Sequence, residues 1–235
     1  MTVRSWSLPA VALAAGWSVP ALAPTIAPLC CLLGVRRRVE GEDAAVHLTF
    51  DDGPHPAATP AVLEGLAARQ ATATFFLVGE QVARFPALAR EIVAEGHVVA
   101  LHGQRHRSQL RLTPRALADD LRRATDVIGS TTGALALLYR PPYGILSAAC
   151  VALARRRGEA IWLWSRWGRD WRADATAASV AELATRELMA GDVILLHDAD
   201  HYGDPGCWRA TAEALPLILD AIEERGYRTA ELGSA

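Results

Sequence analysis

At 235 residues, 51% of them hydrophobic, the chain is long enough to bury one full core and too short to divide into two well-filled ones. A formal net charge of −2 excludes a general attraction to nucleic acid or to anionic membranes. The four cysteines, Cys30, Cys31, Cys150 and Cys207, form no C-x-x-C pair, which argues against a thiolate zinc site and against a disulfide framework.

The N-terminal stretch differs from the rest. No charged residue occurs from Ser5 to Val35, between Arg4 and the run Arg36-Arg37-Arg38. That length can cross a bilayer, yet Pro20, Pro24 and Pro28 each remove a helix hydrogen bond. Three readings stay open: a membrane anchor through residues 5–35, a signal peptide cut after Ala21-Leu22-Ala23, and an apolar arm packed on the domain. The chain therefore divides into an apolar segment, 1–40, and a domain, 41–235.

Beyond Glu40-Gly41-Glu42-Asp43, short apolar runs alternate with longer helical stretches. Strands are predicted over 45–50, 73–78, 97–101, 135–139, 159–164, 192–197 and 227–231. Helices are predicted over 59–69, 86–95, 114–128, 146–157, 177–190 and 209–225. Such alternation predicts parallel strands with crossover helices, an α/β fold. Its form is a distorted (β/α) barrel, TIM-like with about seven strands. In such folds chemistry sits at the C-terminal ends of strands.

Five polar motifs fall at those ends. Thr49-Phe50-Asp51-Asp52-Gly53-Pro54 closes the first strand, and two adjacent carboxylates there call for a cation or a shared proton. His102 and His106 follow the third strand, four apart and able to grip one metal. With Asp52 they make a two-histidine, one-carboxylate set that leaves coordination positions open for water and substrate. Arg140, in the rigid Arg140-Pro141-Pro142-Tyr143-Gly144 loop, brings a permanent charge to the rim beside Asp51. Trp162 and Trp164 read as core, whereas Asp170-Trp171 lies past its strand. His197, in Leu195-Leu196-His197-Asp198, suits a general acid oriented by a carboxylate. Taken singly, each motif reads as readily as a solvated turn, surface histidines or a structural loop; five in sequence at strand ends do not.

In that order these motifs resemble the polysaccharide deacetylases with a NodB-homology domain, carbohydrate esterase family 4. The resemblance covers roughly residues 44 to 231. It implies a metal-dependent hydrolase that removes N-acetyl or O-acetyl groups from a polysaccharide or oligosaccharide. It makes Asp51 the general base, His197 the general acid, Arg140 the group that tunes the base and Asp170 the group that orients His197. Asp52, His102 and His106 would hold a divalent cation, Zn²⁺ first, with Co²⁺ or Ni²⁺ also suited to His₂Asp. Trp171 would wall the pocket, Leu195 line its acetyl-methyl end, and the Tyr143 N–H face the oxyanion. The implied partner is an acetylated carbohydrate polymer, bound by a monomer placed outside the cytoplasm of a bacterium, anchored or secreted. Two departures stand out. Gly103 follows the first histidine where the family has Ser or Thr, and Trp167 stands where it has an earlier Asp. The first removes an expected hydrogen bond that orients the turn, and the second alters contacts at the rim.

Overall fold

The computed structural model describes residues 17–233. Residues 5–16 of the apolar stretch lie outside the described residues. Among those described, nine strands form the sheet: β1 (Val35–Arg36), β2 (Ala45–Asp51), β3 (Ala73–Leu77), β4 (Val98–Leu101), β5 (Leu138–Tyr139), β6 (Ala160–Trp162), β7 (Arg166–Trp167), β8 (Val193–His197) and β9 (Arg228–Thr229). The helices are α1 (Ala27–Leu33), α2 (Ala58–Ala67), α3 (Gly79–Arg84), α4 (Pro86–Ala94), α5 (Pro114–Thr132), α6 (Ala148–Arg157), α7 (Ala177–Thr185) and α8 (Trp208–Glu223). The strand order is β1-β6-β5-β4-β3-β2-β8-β7, with β9 paired to the start of β2. Every ladder is parallel. The sheet curls into the distorted (β/α) barrel, with all seven expected strands present and two further strands of two residues each.

The alternation of β2 sets the site. All seven of its residues are buried, as in a parallel strand covered on both faces. Leu48 and Phe50 join the core between sheet and helices. The residues between them point the other way, which carries His47, Thr49 and Asp51 along the inner face toward the C-terminal mouth. A smaller inner cluster, including Phe76, Ala100, Leu138, Trp162 and Val193, fills the barrel beneath that mouth. Helix ends follow local chemistry. Thr113 caps α5 by accepting from the Ala116 N–H, Pro114 opens the helix, and Gly133 closes it in the left-handed region. Thr176 and Ser179 form a reciprocal cap on α7.

The described part of the N-terminal stretch packs against this barrel. Val19–Thr25 forms a 3₁₀ turn and α1 follows, with Pro20 and Pro28 each in a first turn, where a missing N–H costs least. Ala23, Cys30 and Val35 are buried in the main core. Among the described residues no helix is long and apolar enough to cross a membrane. Residues 35–39 then close the seam of the barrel. Arg36 O accepts from Leu163 N–H at 2.8 Å, Arg37 donates to Trp164 O at 3.0 Å, and Val39 N–H reaches Gly191 O at 2.9 Å. Arg38 pairs with buried Asp192 at 2.8 Å.

Candidate active site

The polar residues converge at the C-terminal mouth. Asp51, Asp52, His102, His106, Tyr143, Gly144, Trp164, Trp167, Trp171, Leu195, His197 and Tyr202 line one cavity of about 390 Å³.

Asp51 ends β2 and is buried. One oxygen, Oδ1, accepts from Arg140 Nη1 at 2.7 Å, while Oδ2 faces His102 Nε2 at 3.7 Å without a hydrogen bond. Arg140 is wholly buried and fully engaged. It also donates to Thr49 Oγ1 (2.8 Å), Leu163 O (3.0 Å) and Trp162 O (3.3 Å), with its guanidinium 4.0 Å from the Phe76 ring centroid. Burial pulls its pKa down, and Asp51 opposes that pull.

The next residue, Asp52, turns into the left-handed region at φ 81°. Gly53 follows because a Cβ there would collide with the Asp198 carboxylate. Asp198 accepts from Gly53 N–H at 3.1 Å and from Thr59 Oγ1 at 2.6 Å, which holds the turn. Burial pushes its carboxyl up to about 7, with the charges of Asp52 and Asp51 adding to the rise.

Asp52 Oδ1 lies 3.4 Å from His102 Nε2 and 3.3 Å from His106 Nε2. The three ligand atoms are within 4.8 Å of one another. His102 Nδ1 sits 2.8 Å from Arg140 O. A carbonyl only accepts, so Nδ1 carries a proton and Nε2 is the ring nitrogen turned toward Asp52. Burial drives the His106 pKa down to about 4 against the pull of Asp52, so its ring is neutral at pH 7. Asp52 Oδ1 is buried with no donor among the described residues. Two imidazole nitrogens and a carboxylate oxygen thus converge, and a divalent cation fits that donor set.

The turn that carries His106 is held despite Gly103. Asp120 on α5 accepts from Gln104 N–H at 2.7 Å and from Arg107 at 2.6 Å. Gly103 has φ 90°, and a Cβ there would lie 3.1 Å from Asp120 Oδ2 and 3.3 Å from Arg105 O. A buried carboxylate from α5 therefore anchors this turn, which the sequence at Gly103 alone does not reveal.

On the neighbouring strand, His197 ends β8 in register with Asp51. Its Nδ1 bonds Asp170 Oδ1 at 2.9 Å, and its own N–H reaches Asp170 Oδ2 at 2.7 Å. Thr211 Oγ1 also donates to Asp170 Oδ2 at 2.7 Å, so Asp170 is locked. Burial lowers the pKa of His197, but Asp170, then Asp52 and Asp51, outweigh it and raise it to about 10. Tyr143 stands at φ 61° and is 56% exposed. The hydrogen bonds of its turn run from Gly144 N–H to Pro141 O and from Ile145 N–H to Pro142 O, which leaves the Tyr143 N–H out of them. Leu195 lies between β2 and β7, in register with Thr49 and Trp167.

Three pocket residues were not expected from the sequence. Trp164, expected as core, lines the cavity, while Trp162 is buried as expected. Trp167 joins Trp164 and Trp171 in a strip, with ring centroids 6.0 and 5.4 Å apart. Trp171 meets His197 edge-on at 5.6 Å. The third is Tyr202, seven residues from Leu195 and outside every motif. A second cluster, His55, Asp200 and His201, also brings three ligand types together. His55 Nδ1, however, accepts from the N–H groups of Ala57 and Ala58, so its Nε2 carries the proton toward Asp200 at 3.3 Å. That ring has no lone pair left for a metal and acts as a helix cap.

Comparison with known proteins agrees with this geometry. The sequence model of the family described as polysaccharide deacetylase matches residues 38–161. A chitooligosaccharide deacetylase from Bradyrhizobium sp. is 36% identical over 190 residues, covering 78% of this chain and 86% of that protein. The solved structure of the Bc1960 peptidoglycan N-acetylglucosamine deacetylase superposes with a TM-score of 0.79 at 27% identity, covering 85% of this chain and 91% of the other. A family 4 carbohydrate esterase from Streptomyces lividans, solved in complex with acetate, gives 0.74 at 28% identity over 83% and 95% of the two chains. The chain belongs to the polysaccharide deacetylase family, carbohydrate esterase family 4.

Proposed function

We propose that this hydrolase removes the N-acetyl group from N-acetylglucosamine units of an oligomeric or polymeric glycan. The observation that carries the reading is the division of labour across one cavity. An engaged carboxylate with one unspent oxygen and a histidine raised to about 10 end neighbouring strands beside a two-histidine, one-carboxylate donor set. The relatives named above act on chitooligosaccharide and on peptidoglycan N-acetylglucosamine, and the Trp164–Trp167–Trp171 strip offers apolar faces on which sugar rings stack.

Asp52, His102 and His106 would hold the divalent cation, Zn²⁺ first and Co²⁺ or Ni²⁺ as alternatives. When bound, the cation supplies Lewis acidity that activates water and stabilises developing negative charge. Asp51 Oδ2 takes the proton of the water that attacks the acetyl carbonyl carbon. Arg140 keeps Oδ1 occupied, so the base presents a single oxygen in one orientation. The Tyr143 N–H donates to the oxyanion that forms. Trp171 and Leu195 enclose the methyl end. As the C–N bond breaks, His197 Nε2 passes its proton to the departing amine, with Asp170 holding Nδ1. Acetate and the free amino sugar are the products. We infer that a glycan of this kind is met outside the cytoplasm, and that the barrel works there.

The test separates acid from base. His197→Ala should release acetate from N-acetylglucosamine oligomers roughly 10²–10⁴ times more slowly. It should recover in part on aryl acetates, whose leaving groups need little protonation. Equal losses on both substrate types would contradict the assignment of His197 as the acid.

A further inference from the structure

The two histidines of the candidate cation site are oriented by different means. His102 is fixed by its Nδ1 bond to the Arg140 carbonyl. His106 has no such bond: its Nδ1 is buried without a hydrogen-bond partner among the described residues. A metal-binding imidazole ordinarily donates its second N–H to a carboxylate or carbonyl, which fixes the ring plane. Something else must therefore fix the plane of His106.

Two aromatic rings flank it. Tyr143 meets it edge-on, with centroids 4.3 Å apart and planes at 65°, but Tyr143 is largely exposed. Tyr202 lies face to face with it at 4.3 Å and only 13°. The Tyr202 plate is itself pinned at its far end. Its hydroxyl donates to Glu80 Oε1 at 2.9 Å and accepts from Gln81 Nε2 at 3.0 Å, both on α3. Gln81 in turn accepts from Arg84 at 3.3 Å.

We propose that Tyr202 is the positioning residue for His106, setting its ring plane and raising its affinity for the cation through face-to-face stacking in place of a hydrogen bond. The chemistry favours the metal-bound form. A cation on Nε2 draws electron density from the imidazole and leaves the ring partly positive. The negative face of a phenol, made richer by donating its proton toward a carboxylate, attracts such a ring more than a neutral one. Tyr202 is thereby coupled to cation binding although it ligates nothing. The inference rests on the reading of Asp52, His102 and His106 as the cation site.

The test uses the full chain, stripped with chelator and titrated with Zn²⁺ against a chelating dye, alongside the visible absorption of the Co²⁺ form. Tyr202→Leu should weaken Zn²⁺ binding about 10-fold or more and shift the Co²⁺ bands, with apo-protein melting little changed. Tyr202→Phe keeps the stack and should stay within about threefold of wild type. Wild-type affinity and an unchanged Co²⁺ spectrum in Tyr202→Leu would overturn the proposal. So would equal losses in the Phe and Leu variants, which would put the effect in the hydroxyl network. If Tyr202→Leu does not fold, Tyr202→Met, of similar bulk, takes its place under the same criteria. A wild type that binds no Zn²⁺ would instead sink the cation site itself, so the two failures are told apart.

Discussion

Two buried aspartates, each paired with arginine, do opposite things in this molecule. Asp192, at the barrel seam, has both oxygens consumed. Oδ1 accepts from Arg38 at 2.8 Å and Ser165 Oγ at 2.7 Å, while Oδ2 accepts from Arg166 at 3.1 Å and Met189 N–H at 2.8 Å. Asp51, at the mouth, gives only Oδ1 to Arg140, and its Oδ2 meets no donor within hydrogen-bond reach. Burial and an arginine partner are therefore no mark of chemistry. What sets Asp51 apart is a lone pair left unspent in a residue that lines the cavity. Asp52 Oδ1 and His106 Nδ1 are likewise buried without a partner among the described residues, whereas the charges at Asp192 are matched to close the barrel.

The sharpest way to break this comparison is to neutralise both aspartates. Asp51→Asn keeps an oxygen for Arg140 and leaves Asp52, His102 and His106, the proposed cation ligands, in place. It should fold, bind Zn²⁺ and release acetate roughly 10²–10⁴ times more slowly, with no recovery on aryl acetates, because attack by water still needs the base. Asp192→Ala should do the reverse. Removing one member of a buried charge network costs about 3–5 kcal/mol, read as a fall in Tm of roughly 10 °C. Turnover per folded, Zn²⁺-loaded molecule should stay near wild type. A large loss of kcat in Asp192→Ala without loss of stability would erase the distinction.

Asp170→Asn sharpens it further, since Asp170 is a spent carboxylate that acts through its partner. Against the pull of burial, the charge of Asp170 raises His197 to about 10, above the ordinary value near 6.5. The charged imidazolium is therefore the favoured form at neutral pH, and activity should decline only as alkaline pH removes its proton. A bound cation offsets the charge of Asp52 and brings that decline below pH 10. Asp170→Asn removes the largest raising charge, so the alkaline limb of kcat should move to lower pH by a unit or more. The same shift has a stability consequence. The contribution of the pair is complete below about pH 6.5 and is lost as pH rises toward 10, and the variant should lose that dependence. An unmoved alkaline limb would remove His197 from the role of acid.

The elements the sequence disclosed are those with a period or a cap of their own. All seven predicted strands and all six predicted helices occur, because runs such as Ala45–Asp51 and Pro114–Thr132 carry their patterning locally. Strands β1 and β7 were not foreseen, since neither lies in an apolar run bounded as a strand of its own, and both are strands only by virtue of distant partners, Ile161 and Trp162 for β1, Ile194 and Leu195 for β7. The same holds at the site. Adjacent aspartates, spaced histidines and strand-end motifs are legible in one dimension. The stack of Tyr202 on His106, the grip of Asp120 on the histidine turn and the Trp164–Trp167–Trp171 strip arise from residues far apart in sequence, or from positions whose side chain could face either way. Arg36, Arg37 and Arg38 illustrate the limit. As sequence they look like charges flanking an apolar stretch, whereas in the fold they serve the seam.

The most direct measurement is a Zn²⁺ titration of chelator-stripped protein while acetate released from N-acetylglucosamine oligomers is followed. Release should be absent in excess chelator and rise with added Zn²⁺ to a break at one equivalent per chain. Asp51→Asn should take up the same equivalent and release almost nothing. Undiminished release in excess chelator, or Zn²⁺-loaded wild type no faster than Asp51→Asn, would contradict the assignment of a cation-dependent deacetylase whose base is the unspent oxygen of Asp51.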